Sequence, residues 1–349
     1  MTSRTASILC FVVFLTCLAR PPRARAWGNT GHEAVAYVAW QQMTPATRAR
    51  TIELIKLVPT LTNPDDPSKI IPGYNEWLSD LPAGLSQDEQ NLFLFMRAAT
   101  WADSIKHRWL QDSDIPPTGR SVEVHIGFRD GESHGYWHFI DTGFTRDNST
   151  VPPTPVPNVA TQITALRDAI ATGEDQTLEA YDMVWLEHLV GDIHQPLHGS
   201  ARYVKGASDL GGNKVKIRMT TAMKKQFEGT HSKSAPNELH AFWDDLPGEG
   251  QPADVLPDAV TFAKDLPAVD SSQLNDTDPG GWAAESLALA KSHAYHAPIG
   301  KDLQPSGSTG SSSGYLISTT YFNQAFSDAH DRIALAGARL AKLLNENLK

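Results

Sequence analysis

His188 and Asp192 stand four residues apart in a stretch of helical pattern, so both side chains leave one face of a helix, one turn apart. His198 follows six residues later, beyond Gln195-Pro196-Leu197, where the proline ends the helix and lets the chain fold back. His240 and Asp244 repeat the four-residue spacing. Imidazole nitrogen with carboxylate oxygen is a good zinc donor set, and without thiolate it suits a catalytic site rather than a sealed structural one. A lone His-x-x-x-Asp more often marks a solvated helix face. Two of them, with His198 between, bring the metal reading level with that one.

The elements that must hold these groups read as mainly helical. Apolar residues recur at helical spacing over Gly31–Gln42, Leu92–Lys106, Val159–Thr172 and Thr177–His194. Glu238–Asp244 and, more weakly, Thr220–Gln226 suggest short helical pieces. A closing helix spans Ser327–Asn347, with Ser327 as its N-cap. Residues 58–90 are rich in Pro, Asp and Gly and read as a connection. Residues 111–134, 151–157, 246–259 and 304–314 read as loops. Strand signals are few and no repeat is present. The expectation is an all-α fold: one mainly helical domain over residues 27–349, with long loops.

The N-terminus has the form of an export signal. Arg4 precedes an apolar run from Ile8 to Ala19, and Ala24-Arg25-Ala26 has the small-x-small form of a cleavage site. The run is too short to span a bilayer. Residues 1–26 are therefore expected to be removed, leaving Trp27 first in a secreted (extracellular or periplasmic) chain. Cys10 and Cys17, the only cysteines, lie in that segment, so disulfides cannot stabilise the remainder. The formal net charge of −10 becomes still more negative once Arg4, Arg20, Arg23 and Arg25 are gone. Such a chain repels polyanions at long range and has no basic run to track a phosphate backbone. If nucleic acid is the substrate, local positive charge must come from something other than Lys and Arg, and bound metal ions are able to supply it.

Six blocks then carry a resemblance. Trp27-Gly-Asn-Thr-Gly-His32, Thr100-Trp-Ala-Asp103, Trp137-His138-Phe-Ile-Asp141, His188-Leu-Val-Gly-Asp192 through His198, Gly211-Gly-Asn213 and Glu238-Leu-His240-Ala-Phe-Trp-Asp244 follow one another in the order seen in S1/P1 nucleases. The chain resembles that family from residue 27 to its closing helix. The resemblance implies an all-α fold of the phospholipase C/P1 nuclease type with three zinc ions. Asp103, His138, His188 and Asp192 would hold one. The terminal amine and carbonyl of Trp27, with His32 and Asp192, would hold a second, and His198, His240 and Asp244 a third. An amine at Trp27 exists only after cleavage, so removal of residues 1–26 would complete the site.

The implied reaction is hydrolysis of phosphodiester bonds in single-stranded DNA and RNA, leaving 5′-phosphorylated ends, with a 3′-nucleotidase activity. Metal binding lowers the pKa of water and so makes a nucleophile near neutral pH; Asp103 would orient it. Lys106 occupies a position where many relatives carry an Arg facing phosphoryl oxygens; as a lysine it acts as a point charge, not a fork. Asn213 is the other candidate for phosphate contact. Phe139 would stack on a base and Asp141 would accept a hydrogen bond from it, and stacking that needs an unstacked base favours single strands. Taken alone, Lys106 reads as a surface charge, Asn213 as a turn residue and Phe139 as a core aromatic. His194 reads as structural or supporting. His107, His125, His134, His231, His293, His296 and His330 match no ligand position. The implied working unit is a monomer with single-stranded nucleic acid and 3′-nucleotides as substrates and no membrane partner. The rival readings are a zinc-dependent phospholipase C and a secreted zinc-binding protein without catalysis. Asp244 and the Phe139/Asp141 pair suit the first of these less well, and a trinuclear set of hard ligands suits the second less well. The chain departs from familiar relatives in its missing cysteines and its longer stretch between His32 and Asp103.

Overall fold

The computed structural model describes residues 27–106, 109–110, 132–173, 175–231, 234–248, 255–307 and 313–348. The expected export segment (residues 1–26), most of the expected loop 111–134, and His107 and His125 lie outside the described residues.

Twelve α-helices are described: α1 (Asn29–Gln42), α2 (Pro45–Ile55), α3 (Tyr74–Ser79), α4 (Gln87–Ala98), α5 (Trp101–Ser104), α6 (Val159–Thr172), α7 (Gln176–Ile193), α8 (Thr221–His231), α9 (Leu239–Asp244), α10 (Val255–Ala263), α11 (Pro279–Leu289) and α12 (Thr319–Asn347). Short strands make a two-stranded sheet of β1 (Leu61–Thr62) and β2 (Ile70–Ile71). A three-stranded sheet orders β3 (Gly143–Thr145), β4 (Ala201–Val204) and β5 (Ala207–Ser208), parallel and then antiparallel. A parallel pair joins β6 (Ile217–Arg218) to β7 (Tyr315–Leu316). The all-α expectation holds.

Helix α7 is the axis of the molecule. Every residue from Glu179 to Ile193 is buried, so it has no solvent face. Helices α1, α2, α5, α6, α11 and α12 pack around it, and α1 lies along α12, α10 and α4. One apolar cluster extends from Trp27 to Leu348 and includes Trp40, Trp101, Trp137, Trp185 and Trp243. No helix among the described residues is long and apolar enough to cross a membrane.

Four stretches differ from the sequence expectations. The closing helix begins at Thr319: Ser318, not Ser327, accepts the capping bond, from the Tyr321 N–H at 3.1 Å. Buried Tyr321 and Ala325 carry the apolar stripe of α12 a further two turns toward the N-terminus. Part of the expected loop 246–259 is α10, whose Pro257 stands in the first turn, where a missing N–H costs nothing. The pattern over Leu92–Lys106 breaks between Ala98 and Trp101 into α4 and α5. The connection 58–90 contains β1, β2 and α3 and enters α4 at Ser86, whose side chain and Glu89 form a capping box.

Candidate metal centre

Three histidines of the site are held by their backs. The Nδ1–H of His188 donates to the Ala99 carbonyl at 2.8 Å, and that carbonyl is available because α4 stops at Ala98. The Nδ1–H of His198 donates to the His138 carbonyl at 2.7 Å, and that of His240 to the Gly211 carbonyl at 2.6 Å. In each ring this fixes the tautomer and leaves the Nε2 lone pair facing inward. His138 enters the other way round. Its Nδ1 lies 2.9 Å from Asp192 Oδ2 and 3.0 Å from His188 Nε2.

Three groups of donors form. His138, His188 and Asp192 make one; His32, Asp103 and His188 a second; His198, His240 and Asp244 a third. Within each, the ligand atoms lie within 4.8 Å of one another. Asp192 joins the first two, with Oδ1 3.4 Å from His32 Nε2 and Oδ2 3.3 Å from His188 Nε2; the third lies beside them, with His198 Nδ1 4.0 Å from Asp192 Oδ1. His240 Nε2 stands 3.1 Å from His198 Nε2 and 3.4 Å from Asp244 Oδ2. Donors on a tetrahedral ion with bonds of about 2 Å stand about 3.3 Å apart, so these spacings fit a metal. Both ring nitrogens of His32, His138 Nε2 and Asp192 Oδ1 are buried without a hydrogen-bond partner among the described residues. Buried polar atoms are seldom left so, and a bound cation would satisfy those that face the cluster.

The charges also suit a metal. Burial, and then neighbouring His188, lower His32 to about 4, and burial with Lys106 lowers His138 to about 3. Burial works against ionising Asp103 and Asp192, but Lys106 and His188 around the first, and His188 and His138 around the second, hold both well below the usual carboxylate range. His188 is raised: burial opposes this, and the Asp192 and Asp103 carboxylates outweigh it. Neutral His32 and His138 beside ionised Asp103 and Asp192 are in the protonation states that ligation requires, and a cation among them would displace the proton that the carboxylates draw onto His188.

The described residues bring together all eight ligand side chains expected from the resemblance, apart from Trp27, whose part rests on its main chain. Trp27 is nonetheless beside the site: its Nε1–H donates to the Gly191 carbonyl at 3.0 Å, and the Gly28 N–H donates to the Asp244 carbonyl at 2.7 Å. His32 stacks on His188, ring centroids 3.8 Å apart, and approaches Asp103 as well as Asp192. A Cβ at Gly191 would lie 2.8 Å from His32 Nδ1, so only glycine admits that ring between α1 and α7. Lys106 is not a surface charge. It is 7 % exposed and its ammonium lies 2.8 Å from Asp103 Oδ1. Phe139 and Asp141 are half-buried directly after His138. The Asn213 amide donates to the Leu210 carbonyl at 2.7 Å, closing its own turn.

His194 does not join the cluster. Its Nδ1–H donates to the Val190 carbonyl at 2.7 Å, and its Nε2 accepts from Arg339 at 2.9 Å, which consumes the lone pair its neighbours keep free. Burial, then Arg332 and Arg339, hold it well below the ordinary histidine range. Gln195 was not singled out by sequence reasoning, yet its amide donates to Asp244 Oδ1 at 2.6 Å and so orients a ligand. Only its place inside the His188–His198 block could have signalled this.

Comparison with known proteins decides the family. The family model described as S1/P1 Nuclease matches residues 27–349. The chain belongs to the S1/P1 nuclease family. It is 24% identical to Nuclease P1 of Penicillium citrinum over 92% of this chain and 97% of that protein. It is 22% identical to Endonuclease 2 of Arabidopsis thaliana over 97% and 96%, respectively. A shorter match, 29% identical to Endonuclease 3 of Arabidopsis thaliana, covers 47% of this chain and 50% of that protein. As an S1/P1 nuclease, the chain is an enzyme with the helical phospholipase C/P1 fold, and its histidine and aspartate groups are able to hold metal.

Proposed function

We propose that this nuclease hydrolyses phosphodiester bonds within single-stranded DNA and RNA, leaving 5′-phosphorylated ends, and removes phosphate from 3′-nucleotides. The observation that carries this reading is the meeting of two donor groups at the single carboxylate of Asp192, with the His198–His240–Asp244 group next to them and a buried cation, Lys106, beside Asp103. Asp103, His138, His188 and Asp192 would hold one zinc ion. His32 and Asp192, with the freed amine and carbonyl of Trp27, would hold a second, and His198, His240 and Asp244 a third. Bound ions supply Lewis-acid neutralisation of the phosphoryl oxygens and activation of water.

The chain's own residues do the rest. The Asp103 carboxylate, kept ionised by Lys106, accepts a hydrogen bond from the attacking water and aims it at phosphorus. The Lys106 ammonium offsets charge developing on the phosphoryl oxygens, and Asn213 is a further candidate donor to them. Phe139 stacks on the base and Asp141 accepts from its exocyclic amine or ring N–H. Duplex bases are already stacked on their neighbours, so this platform favours single strands. The enzyme acts as a secreted monomer, completed by cleavage after Ala26.

The experiment is metal analysis of the chain beginning at Trp27, coupled to digestion of single-stranded DNA by wild type and by Asp192→Asn. Near three zinc ions per chain and a large loss of rate in the variant support the proposal. Full activity with no bound metal overturns it.

A further inference from the structure

Leu210, Gly211 and Gly212 take φ values of 56°, 58° and 90° in succession, left-handed backbone that a loop does not hold without help. A Cβ at Gly211 would lie 2.7 Å from the Leu197 carbonyl oxygen and 3.2 Å from His240 Nδ1, so the loop's close approach to the imidazole requires glycine. Through that approach the Gly211 carbonyl receives the His240 Nδ1–H at 2.6 Å and turns Nε2 toward His198 and Asp244.

What holds the loop is a buried carboxylate just before it. Asp209 is fully buried. Its Oδ1 accepts from the N–H groups of Arg202 at 3.0 Å and Gly212 at 3.2 Å and from the Tyr295 hydroxyl at 3.2 Å. Its Oδ2 accepts from Arg202 Nε at 3.2 Å. Arg202 is itself fully buried, lies over the Tyr295 ring at 4.6 Å, and donates to the Gly300 carbonyl at 2.6 Å. Removing water from a carboxylate and a guanidinium costs several kcal/mol, and well-packed apolar residues often replace such a pair without loss of stability. The pair is therefore poorly explained by stability, and well explained by the orientation it imposes.

We propose that Asp209, fixed by Arg202 and Tyr295, is a positioning residue for His240: it clamps the Leu210–Gly212 loop and so sets how firmly the His198–His240–Asp244 group holds its metal. This rests on reading that group as a metal site. Outer partners of metal ligands typically change affinity about 10–100-fold when removed.

The test compares zinc-loaded wild type with Asp209→Ala, Asp209→Asn, Tyr295→Phe and His240→Ala. The readouts are zinc per folded chain and the rate of zinc release to a chromogenic chelator, with circular dichroism confirming the fold. The expected result is that Asp209→Ala releases one ion of the set ~10-fold faster or more while the others leave at the wild-type rate. Asp209→Asn keeps Oδ1 and restores most of the difference; Tyr295→Phe speeds the same ion by less. If Asp209→Ala does not fold, Tyr295→Phe and Asp209→Asn decide. Wild-type release from every folded Asp209 and Tyr295 variant, or equal acceleration of all ions, overturns the proposal. His240→Ala separates the two readings. Loss of one ion there, with the Asp209 and Tyr295 variants unchanged, sinks only the positioning role; full zinc in His240→Ala sinks the metal site itself.

Discussion

His188 Nε2 and His138 Nδ1 face each other at 3.0 Å, with Asp192 Oδ2 3.3 Å from the first and 2.9 Å from the second. With His188 donating through Nδ1 to Ala99, its Nε2 arrives as a lone pair. Two ring nitrogens and a carboxylate oxygen at these separations need either a shared proton or a cation between them. A cation satisfies all three at once.

Chelation follows directly. Stripping the metal leaves Asp192, Asp103 and their histidines as buried polar groups without their counter-charge, and a ligand that binds only the folded state stabilises it by mass action. A chelator in excess is expected to lower the melting temperature by several degrees, and added zinc to restore it. A melting temperature indifferent to both treatments contradicts the metal centre.

The metal-free protein should lose stability on acidification. His32 is lowered to about 4 and His138 to about 3, against about 6.5 for an unfolded histidine. Below pH ~6.5 the unfolded chain therefore takes up protons at these two positions that the folded chain refuses, at about 1.4 kcal/mol per pH unit for each excess proton. His188 is raised and works in the opposite sense, its contribution present at low pH and lost as pH rises through its folded value. Below pH ~6.5 His188 is protonated in both states and adds no slope, so His32 and His138 alone favour unfolding between pH ~6.5 and about 4. Urea midpoints measured in chelator across that range should fall with pH, and less steeply in His138→Gln.

Glu285 joins α11 to α12 beneath His194. It accepts from Arg339 at 2.7 and 2.8 Å and from Arg332 at 2.9 Å, while Arg332 Nε also donates to the His194 carbonyl at 3.1 Å. Burial alone would raise its carboxyl, but the hydrogen bonds from the two guanidinium groups hold it below its ordinary value. Its contribution is complete above the unfolded carboxylate value of about 4.3 and disappears as pH falls through the folded one. Glu285→Ala leaves two buried cations unpaired. The cost should be about 2 kcal/mol, less than for a fully buried pair because Glu285 is 34 % exposed. Thermal melts check this, with zinc content unchanged.

Legibility in the sequence divided by the range of the interaction. His188 with Asp192, and His240 with Asp244, lie within single helices, where side-chain type and a four-residue spacing already place both donors on one face. The convergence of His32, Asp103 and His138 on them crosses four elements, and only the family resemblance carried it. Features set by tertiary context were not readable. The break at Ala98–Trp101 frees a carbonyl for a histidine 89 residues away in sequence, and nothing local marks it. Helices α2 and α11 lie outside the helical stretches read from the sequence, although Thr44-Pro45 and Asp278-Pro279 form ordinary N-termini. Asp209 lies in a stretch that reads as a turn, and its role appears only when Arg202, Tyr295 and Gly212 surround it.

Phe139 supplies a test of base recognition. It is half-buried next to His138, and its carbonyl accepts from the Val159 N–H at 3.1 Å, so the backbone is fixed by α6 while the ring is left partly open. Loss of one stacking face is worth about 1–3 kcal/mol, so Phe139→Ala should raise KM ~5–150-fold on an oligonucleotide. On an abasic strand the same variant should match wild type. Equal loss on both substrates assigns the ring to the core instead.

Lys106 can be separated from a purely structural partner of Asp103 by what its removal changes. The ammonium is 2.8 Å from Asp103 Oδ1 and is the strongest of the charges lowering that carboxyl, against the burial that raises it. In Lys106→Gln the fold keeps a hydrogen-bond donor but loses the charge. A group that stabilises developing charge is worth about 100-fold or more in kcat, so kcat should fall by that order with KM and zinc content little altered. Lys106→Arg restores a charge and adds a planar fork that can grip two phosphoryl oxygens, so it should recover most of the rate. If Lys106 serves only to keep Asp103 in place, Lys106→Gln will lose zinc and thermal stability together, and kcat per bound zinc will stay at the wild-type value.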